Sequence, residues 1–136
     1  IEAIKEASGD ISKIVKISEL CKQLIIYAGN DDQLIPTLSL GGKGVISVTA
    51  NLIPNEIHDI TAEYLCGNHY LALLKFLKLR KLNEIMFIET NPVPVKTALN
   101  LMGLDVGGCR LPLVDLRTDN LEKLKIVLKE YDLIGG

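Results

Sequence analysis

Three stretches of this 136-residue chain carry side chains whose types and spacing could do chemistry. The first is IEAIKEASGD, with Lys5 as its reactive group. Glu2, Ala3, Lys5, Glu6 and Ala7 are good helix formers, so one reading is an exposed helical turn with Lys5 paired to Glu2. The other is a strand, where side chains alternate between faces. Ile1, Ala3 and Lys5 then share one face, and the lysine ends an apolar stripe. An amine enclosed by apolar side chains loses hydration, which disfavours the ammonium form. As the free amine it can attack a carbonyl and form an imine, an electron sink for carbon–carbon bond chemistry. These ten residues alone leave both readings open.

The second stretch is NDD at 30–32, which offers either a metal cluster or a turn with a helix N-cap. Adjacent polar loop residues most often serve the latter purpose, and no metal is assigned to them. The third is GGKG at 41–44. It lacks the spacing of a phosphate-binding P-loop and the Ser or Thr directly after the lysine. It also precedes its strand, so it is read as a tight turn whose glycines admit positive φ. Cys21, Cys66 and Cys109 are odd in number and have no C-x-x-C spacing, which argues against a disulfide framework and a zinc site. His58 and His69 have no acidic partner at ligand spacing. All five are read as packing or surface residues, consistent with a reducing, cytoplasmic setting.

The elements that must position these groups follow from hydrophobic spacing. Asp10 is placed as an N-cap for a helix over 11–22, with Ile11, Ile14, Val15 and Cys21 on its apolar face. QLIIYAGNDD suits a strand buried on both faces. DDQLIPTLSLGG suits a short helix that tolerates Pro36 near its first turns. KGVISVTAN, with Val45, Ile46, Val48 and Thr49, reads as a third strand. The resulting β-α-β-α-β-α order with short connections means a parallel α/β sheet, whose ligands sit at the carboxyl ends of the strands. Beyond Asn55 only helices are expected: one long or two over 69–88, one through NPVPVKTALNLMG, and one at DNLEKLKIVLKEY with Asp119 and Glu122 as an acidic capping pair. The division is therefore 1–60, a half-barrel of three strands with crossover helices, and 61–136, C-terminal helices, within one structural unit.

Composition excludes several function classes. Hydrophobic residues at 48% and charged residues at 24% describe a globular chain. A net charge of −2, with both signs interleaved, and 4% aromatics do not suit a nucleic-acid binder. No apolar run reaches bilayer length, and no signal-peptide pattern opens the chain. The chain starts at Ile1 and enters its apolar pattern without an approach, which reads as a piece of something longer.

Taken together and in order, IEAIKEASGD, YAGNDDQLIPTLSLGGKGVISVTAN and NPVPVKTALNLMGLDVGGCRLPL resemble the C-terminal half of the dihydrodipicolinate synthase family, within the pyruvate-dependent class I aldolases. The resemblance runs over essentially the whole chain. It implies strands six to eight of a (β/α)8 TIM barrel followed by a C-terminal helical region. It also implies that Lys5 ends the sixth strand and forms a Schiff base with pyruvate. Ile46 then corresponds to an eighth-strand residue whose backbone helps hold pyruvate, and Gly29 to a glycine lining the pocket behind the imine. The implied reaction joins pyruvate to L-aspartate 4-semialdehyde, giving 4-hydroxy-tetrahydrodipicolinate for lysine and diaminopimelate biosynthesis. No cofactor is implied beyond the covalent lysine imine, and the full-length enzyme is expected to be a homo-oligomer, a tetramer or dimer. The alternatives are a related aldolase or lyase acting on N-acetylneuraminate or a keto-deoxy-sugar acid, and an inert half-barrel fragment. The family's acid–base tyrosine, adjacent threonines and substrate-binding arginine are implied to lie upstream of the lysine. Tyr27, Tyr64, Tyr70 and Tyr131 match none of those motifs.

Overall fold

Pairing of three short strands decides the conformation of the opening residues. In the computed structural model, which describes residues 1–135, Ala3–Glu6 (β1), Ile25–Ala28 (β2) and Gly44–Val45 (β3) form a parallel sheet in the order β1-β2-β3. The first stretch is thus a strand despite its helix-forming composition, because β2 takes up its backbone groups in register from Ala3↔Ile25 to Glu6↔Ala28. Ile11–Leu20 (α1) and Leu34–Ser39 (α2) make the crossovers. A 3-10 turn at Thr49–Asn51, then Pro54–Leu65 (α3) and His69–Lys78 (α4), follow β3.

Local signals explain most boundaries. Asp10 accepts the Ser12 amide at 2.9 Å, capping α1 as its sequence position predicts. The helix stops at Leu20 rather than 22, and Cys21 leaves helical geometry with φ −130°. Val15, expected on the apolar face, is 49% exposed, whereas Ile14 is fully buried. In β2 the predicted two-sided burial gives way to alternation. Ile26 and Ala28 are buried, while Ile25 is exposed. On the face that carries Ile25, Tyr27 is half-buried. The third strand is two residues long and ends at Val45, short of the expected run through Val48 and Thr49. The chain turns instead because Val48 gives its amide to the Asp31 carboxylate at 2.9 Å. The GGKG segment is the expected turn. Gly41 has φ +89°, a conformation suited to glycine, and Lys43 gives its amide to Ile26 O at 2.9 Å as the chain enters β3.

The chain forms two compact units, Ile1–Lys78 and a second beginning at Leu79. In the first, Ile14 of α1, Ile26 and Ala28 of β2, and Leu34 and Leu38 of α2 supply the core on one side of the sheet. α3 packs on α4 with Ile57, Ile60 and Ala72 buried. Burying each large aliphatic side chain stabilises the fold by roughly 1.5–3 kcal/mol.

The second unit contains Arg80–Ile85 (α5), Val93–Leu101 (α6) and Thr118–Glu130 (α7). The apolar run over 69–88 is therefore two helices, broken at Leu79. Leu82, Met86, Val95, Ala98, Leu124 and Leu128 form the core of this unit. Among the described residues no strand follows Val45, and no helix is long and apolar enough to cross a membrane.

The acidic capping pair expected for α7 does not form. Asp119 lies inside the first turn, and Glu122 accepts Lys125 Nζ at 2.8 Å. The cap comes from a distant residue. Glu89 Oε1 accepts the Arg117 amide at 3.0 Å and Asn120 Nδ2 at 2.8 Å. The Asn120 side chain first, then the Arg117 amide, hold the Glu89 carboxyl below the usual carboxylate range. A carboxyl group whose folded value is depressed contributes stability above its unfolded value, and that contribution is lost as pH falls through the folded one. Glu89→Gln keeps an acceptor but loses the charge. Its thermal midpoint is expected below the parent's at pH 7, and the gap is expected to narrow as the pH falls below the ordinary glutamate range. A gap that stays constant across the whole acid range overturns this account of the α7 cap.

Candidate active site

The parallel register gathers the residues singled out in the sequence. Lys5 pairs with Tyr27, and Tyr27 pairs with Gly44. Directly paired residues of a parallel sheet project to the same face, so Lys5, Tyr27 and Gly44 form one row across it. Alternation along each strand places Ala7, Gly29 and Ile46 on that face, two residues nearer the carboxyl end. The ladder continues past the strands to hold this second row. Gly29 gives its amide to Glu6 O at 2.6 Å, and Ile46 gives its amide to Ala28 O at 2.9 Å. Three residues distant in sequence thus meet at the carboxyl ends of three adjacent strands.

Gly29 shapes this face. A Cβ on Gly29 would fall 2.2 Å from Ala7 Cβ, 2.8 Å from Ala7 Cα and 2.9 Å from Glu6 O. Only hydrogen fits between β2 and the end of β1, so Gly29 lets the strand that bears Lys5 approach this closely. At Gly44 a Cβ would sit 3.7 Å from Tyr27 Cδ1 and Cε1 and from Thr61 Cγ2, which is ordinary contact, so space alone does not require glycine there. Ala3, Lys5 and Ile46 are exposed, Tyr27 is half-buried and Gly29 is buried. The apolar enclosure that the sequence suggests around Lys5 is not supplied by the described residues, and Ile1 lies outside the strand and fully exposed.

The NDD segment has a structural use. Asp31 opens the 3-10 turn Asp31–Gln33 and is only 2% exposed. Its carboxylate accepts the Ser47 hydroxyl and the Val48 amide, while Asp32 stays exposed. Among the described residues no group of three or more His, Cys, Asp or Glu is placed to hold a metal ion. Cys21, Cys66 and Cys109 are free thiols. His69 stacks on Tyr64, with ring centroids 4.4 Å apart.

Two members of this arrangement escape sequence reasoning. Tyr27 shares a row with Lys5, and Asp31 reaches across to the loop after β3. Period-two spacing of Ile25, Tyr27 and Gly29 hints at the first, but only strand register sets Tyr27 beside Lys5.

Residues 1–131 match the family described as the dihydrodipicolinate synthetase family. The chain belongs to that family. A 4-hydroxy-tetrahydrodipicolinate synthase from a Thermoanaerobacter species is 55% identical over 135 residues, an alignment covering 98% of this chain and 46% of that protein. The corresponding synthase from Clostridium novyi is 52% identical over 133 residues, covering 97% and 45%. Among solved structures, dihydrodipicolinate synthase from Thermotoga maritima superposes with a TM-score of 0.92 at 40% identity, covering 98% of this chain and 47% of that one. The chain spans about half the length of the curated relatives it matches. Within the family fold, its three parallel strands and crossover helices are part of a (β/α)8 barrel, followed by the C-terminal helices.

Proposed function

We propose that this chain carries the nucleophile of a 4-hydroxy-tetrahydrodipicolinate synthase, with Lys5 as the imine-forming residue. The observation that carries the reading is the row Lys5–Tyr27–Gly44, with Gly29 and Ile46 beyond it on the same face. It sits in a chain 55% identical to a protein of that name. The free amine of Lys5 adds to the ketone carbon of pyruvate, and water leaves as the carbon–nitrogen double bond forms. A proton then leaves the methyl carbon, its electron pair flows toward the imine nitrogen, and the enamine attacks the aldehyde carbon of L-aspartate 4-semialdehyde. Cyclisation and release from the lysine give 4-hydroxy-tetrahydrodipicolinate on the route to lysine and diaminopimelate.

In this reading Lys5 is itself the electron sink, so no metal or organic cofactor takes part. The Ile46 backbone holds pyruvate, and Gly29 keeps the space behind the imine clear. The proton-relaying tyrosine, the threonines and the substrate-binding arginine come from other parts of the full-length enzyme. The remaining barrel strands close over the face that is open here, and the whole works in the cytoplasm as a dimer or tetramer.

Borohydride tests the assignment. Full-length enzyme treated with pyruvate and borohydride is expected to gain one reduced pyruvyl group at Lys5, because reduction traps the imine as a secondary amine. Label on Lys43 or Lys96 instead overturns the assignment. Turnover with L-aspartate 4-semialdehyde, set against cleavage of N-acetylneuraminate or keto-deoxy-sugar acids, separates the synthase from its aldolase relatives.

A further inference from the structure

Asp31 is a buried carboxylate whose hydrogen bonds to Ser47 and Val48 reach outside the turn it opens. The loop after β3 already has a cap of its own, since Ser47 Oγ accepts the Ala50 amide at 2.8 Å. Burying an ionisable group is costly unless it is paired, yet Asp31 is nearly inaccessible while Asp32 beside it is exposed. What Asp31 adds is a tie between two loops. Its two oxygens take the Ser47 hydroxyl and the Val48 amide, reaching sixteen and seventeen residues along the chain. Ser47 is thereby used in both directions, donating to Asp31 and accepting from Ala50.

The tie spans the two backbone positions that matter. Gly29 precedes Asp31 by two residues, and Ile46 directly precedes Ser47. Gly29 is already fixed to β1 through Glu6 O. The Ile46 amide is held by Ala28 O at 2.9 Å, at the end of a two-residue strand. The Asp31 carboxylate supplies a second fixed point just beyond it. We propose that Asp31, acting through Ser47 and the Val48 amide, is a positioning residue that sets the Ile46 backbone against Lys5 to receive the keto acid. The proposal rests on the reading of Lys5 as the imine-forming lysine.

The test uses the full-length enzyme, with pyruvate as the varied ligand. Asp31→Asn keeps the size and one acceptor oxygen but removes the charge that draws both donors. Its KM for pyruvate is expected to rise about tenfold, with kcat within about threefold and the KM for L-aspartate 4-semialdehyde within about twofold. Ser47→Ala, a smaller change that leaves the carboxylate in place, is expected to shift the pyruvate KM in the same direction. The double variant should be no worse than the worse single, because the two residues act as one unit. Borohydride trapping at Lys5 under low pyruvate should slow in the same proportion. An unchanged pyruvate KM in both single variants overturns the proposal. So does a loss confined to thermal stability, or one equal for both substrates, since either marks a purely structural role. Absence of a Lys5 adduct in the parent enzyme instead overturns the underlying assignment of Lys5, which keeps the two failures apart.

Discussion

Lys5→Arg in the full-length enzyme is expected to lower synthase turnover by roughly three orders of magnitude or more, because it closes the imine route altogether. A guanidinium stays protonated and its nitrogens are poor nucleophiles, so no carbon–nitrogen double bond to pyruvate forms. The substitution keeps a long cationic side chain in the row beside Tyr27 and Gly44, where Lys5 pairs with Tyr27 in register. The variant should therefore fold, and its thermal midpoint should stay close to the parent's. Mass spectrometry after pyruvate and borohydride should show no adduct. Turnover retained above about a tenth in the folded variant would show that the chemistry does not pass through this residue, since a tenfold loss corresponds to only about 1.4 kcal/mol of barrier.

Gly29→Ala is expected to have the next largest effect, by a different route. The added Cβ would meet Ala7 Cβ at 2.2 Å and backbone atoms of Ala7 and Glu6 at 2.8 and 2.9 Å. Backbone cannot swing aside as a side chain does, so the end of β1 must move. The 2.6 Å hydrogen bond from Gly29 N to Glu6 O must then lengthen. Overpacking of this kind typically costs about 1–3 kcal/mol of stability. The activity loss should be larger than that cost alone implies, because Lys5 lies two residues before Ala7 on the displaced strand. A misplacement of about 1 Å at a reacting group can cost about a hundredfold in rate. Ala7→Gly added to Gly29→Ala removes the Cβ–Cβ overlap but leaves both backbone contacts, so recovery should be partial. Gly108→Ala, where a Cβ meets nothing within 4 Å, serves as the silent control. Full activity in Gly29→Ala would show that the close approach of β1 and β2 is not needed to aim Lys5.

What can be read along the chain rests on near neighbours. The N-cap at Asp10 and the turn at Gly41 depend on neighbours within a few residues, and both are visible in the one-dimensional pattern. The cap of α7 is not. Asp119 and Glu122 have the expected spacing, yet Glu89, twenty-eight residues before Arg117, takes the cap. A distant carboxylate held in place by packing outcompetes a local one that would have to be ordered for the purpose. β3 fails to reach Thr49 for a similar reason, because Asp31 takes the Val48 amide that a longer ladder would have used.

By itself the sequence determined the alternation of strands and helices, the parallel class of the sheet, the succession of helices without a further strand among the described residues after Asn55, and the three motif blocks of the family. These properties reside in residue type and spacing, which survive without any knowledge of contacts. The tertiary structure alone decided that Ala3–Glu6 is a strand, since its composition favours a helix and only pairing with β2 overrides it. It also decided register, and register is what brings Lys5 beside Tyr27 and sets Gly29 and Ile46 on the same face. A shift of one residue would turn every one of those groups to the opposite side. No local pattern fixes such a choice, because its energy lies in hydrogen bonds and packing between residues about twenty positions apart.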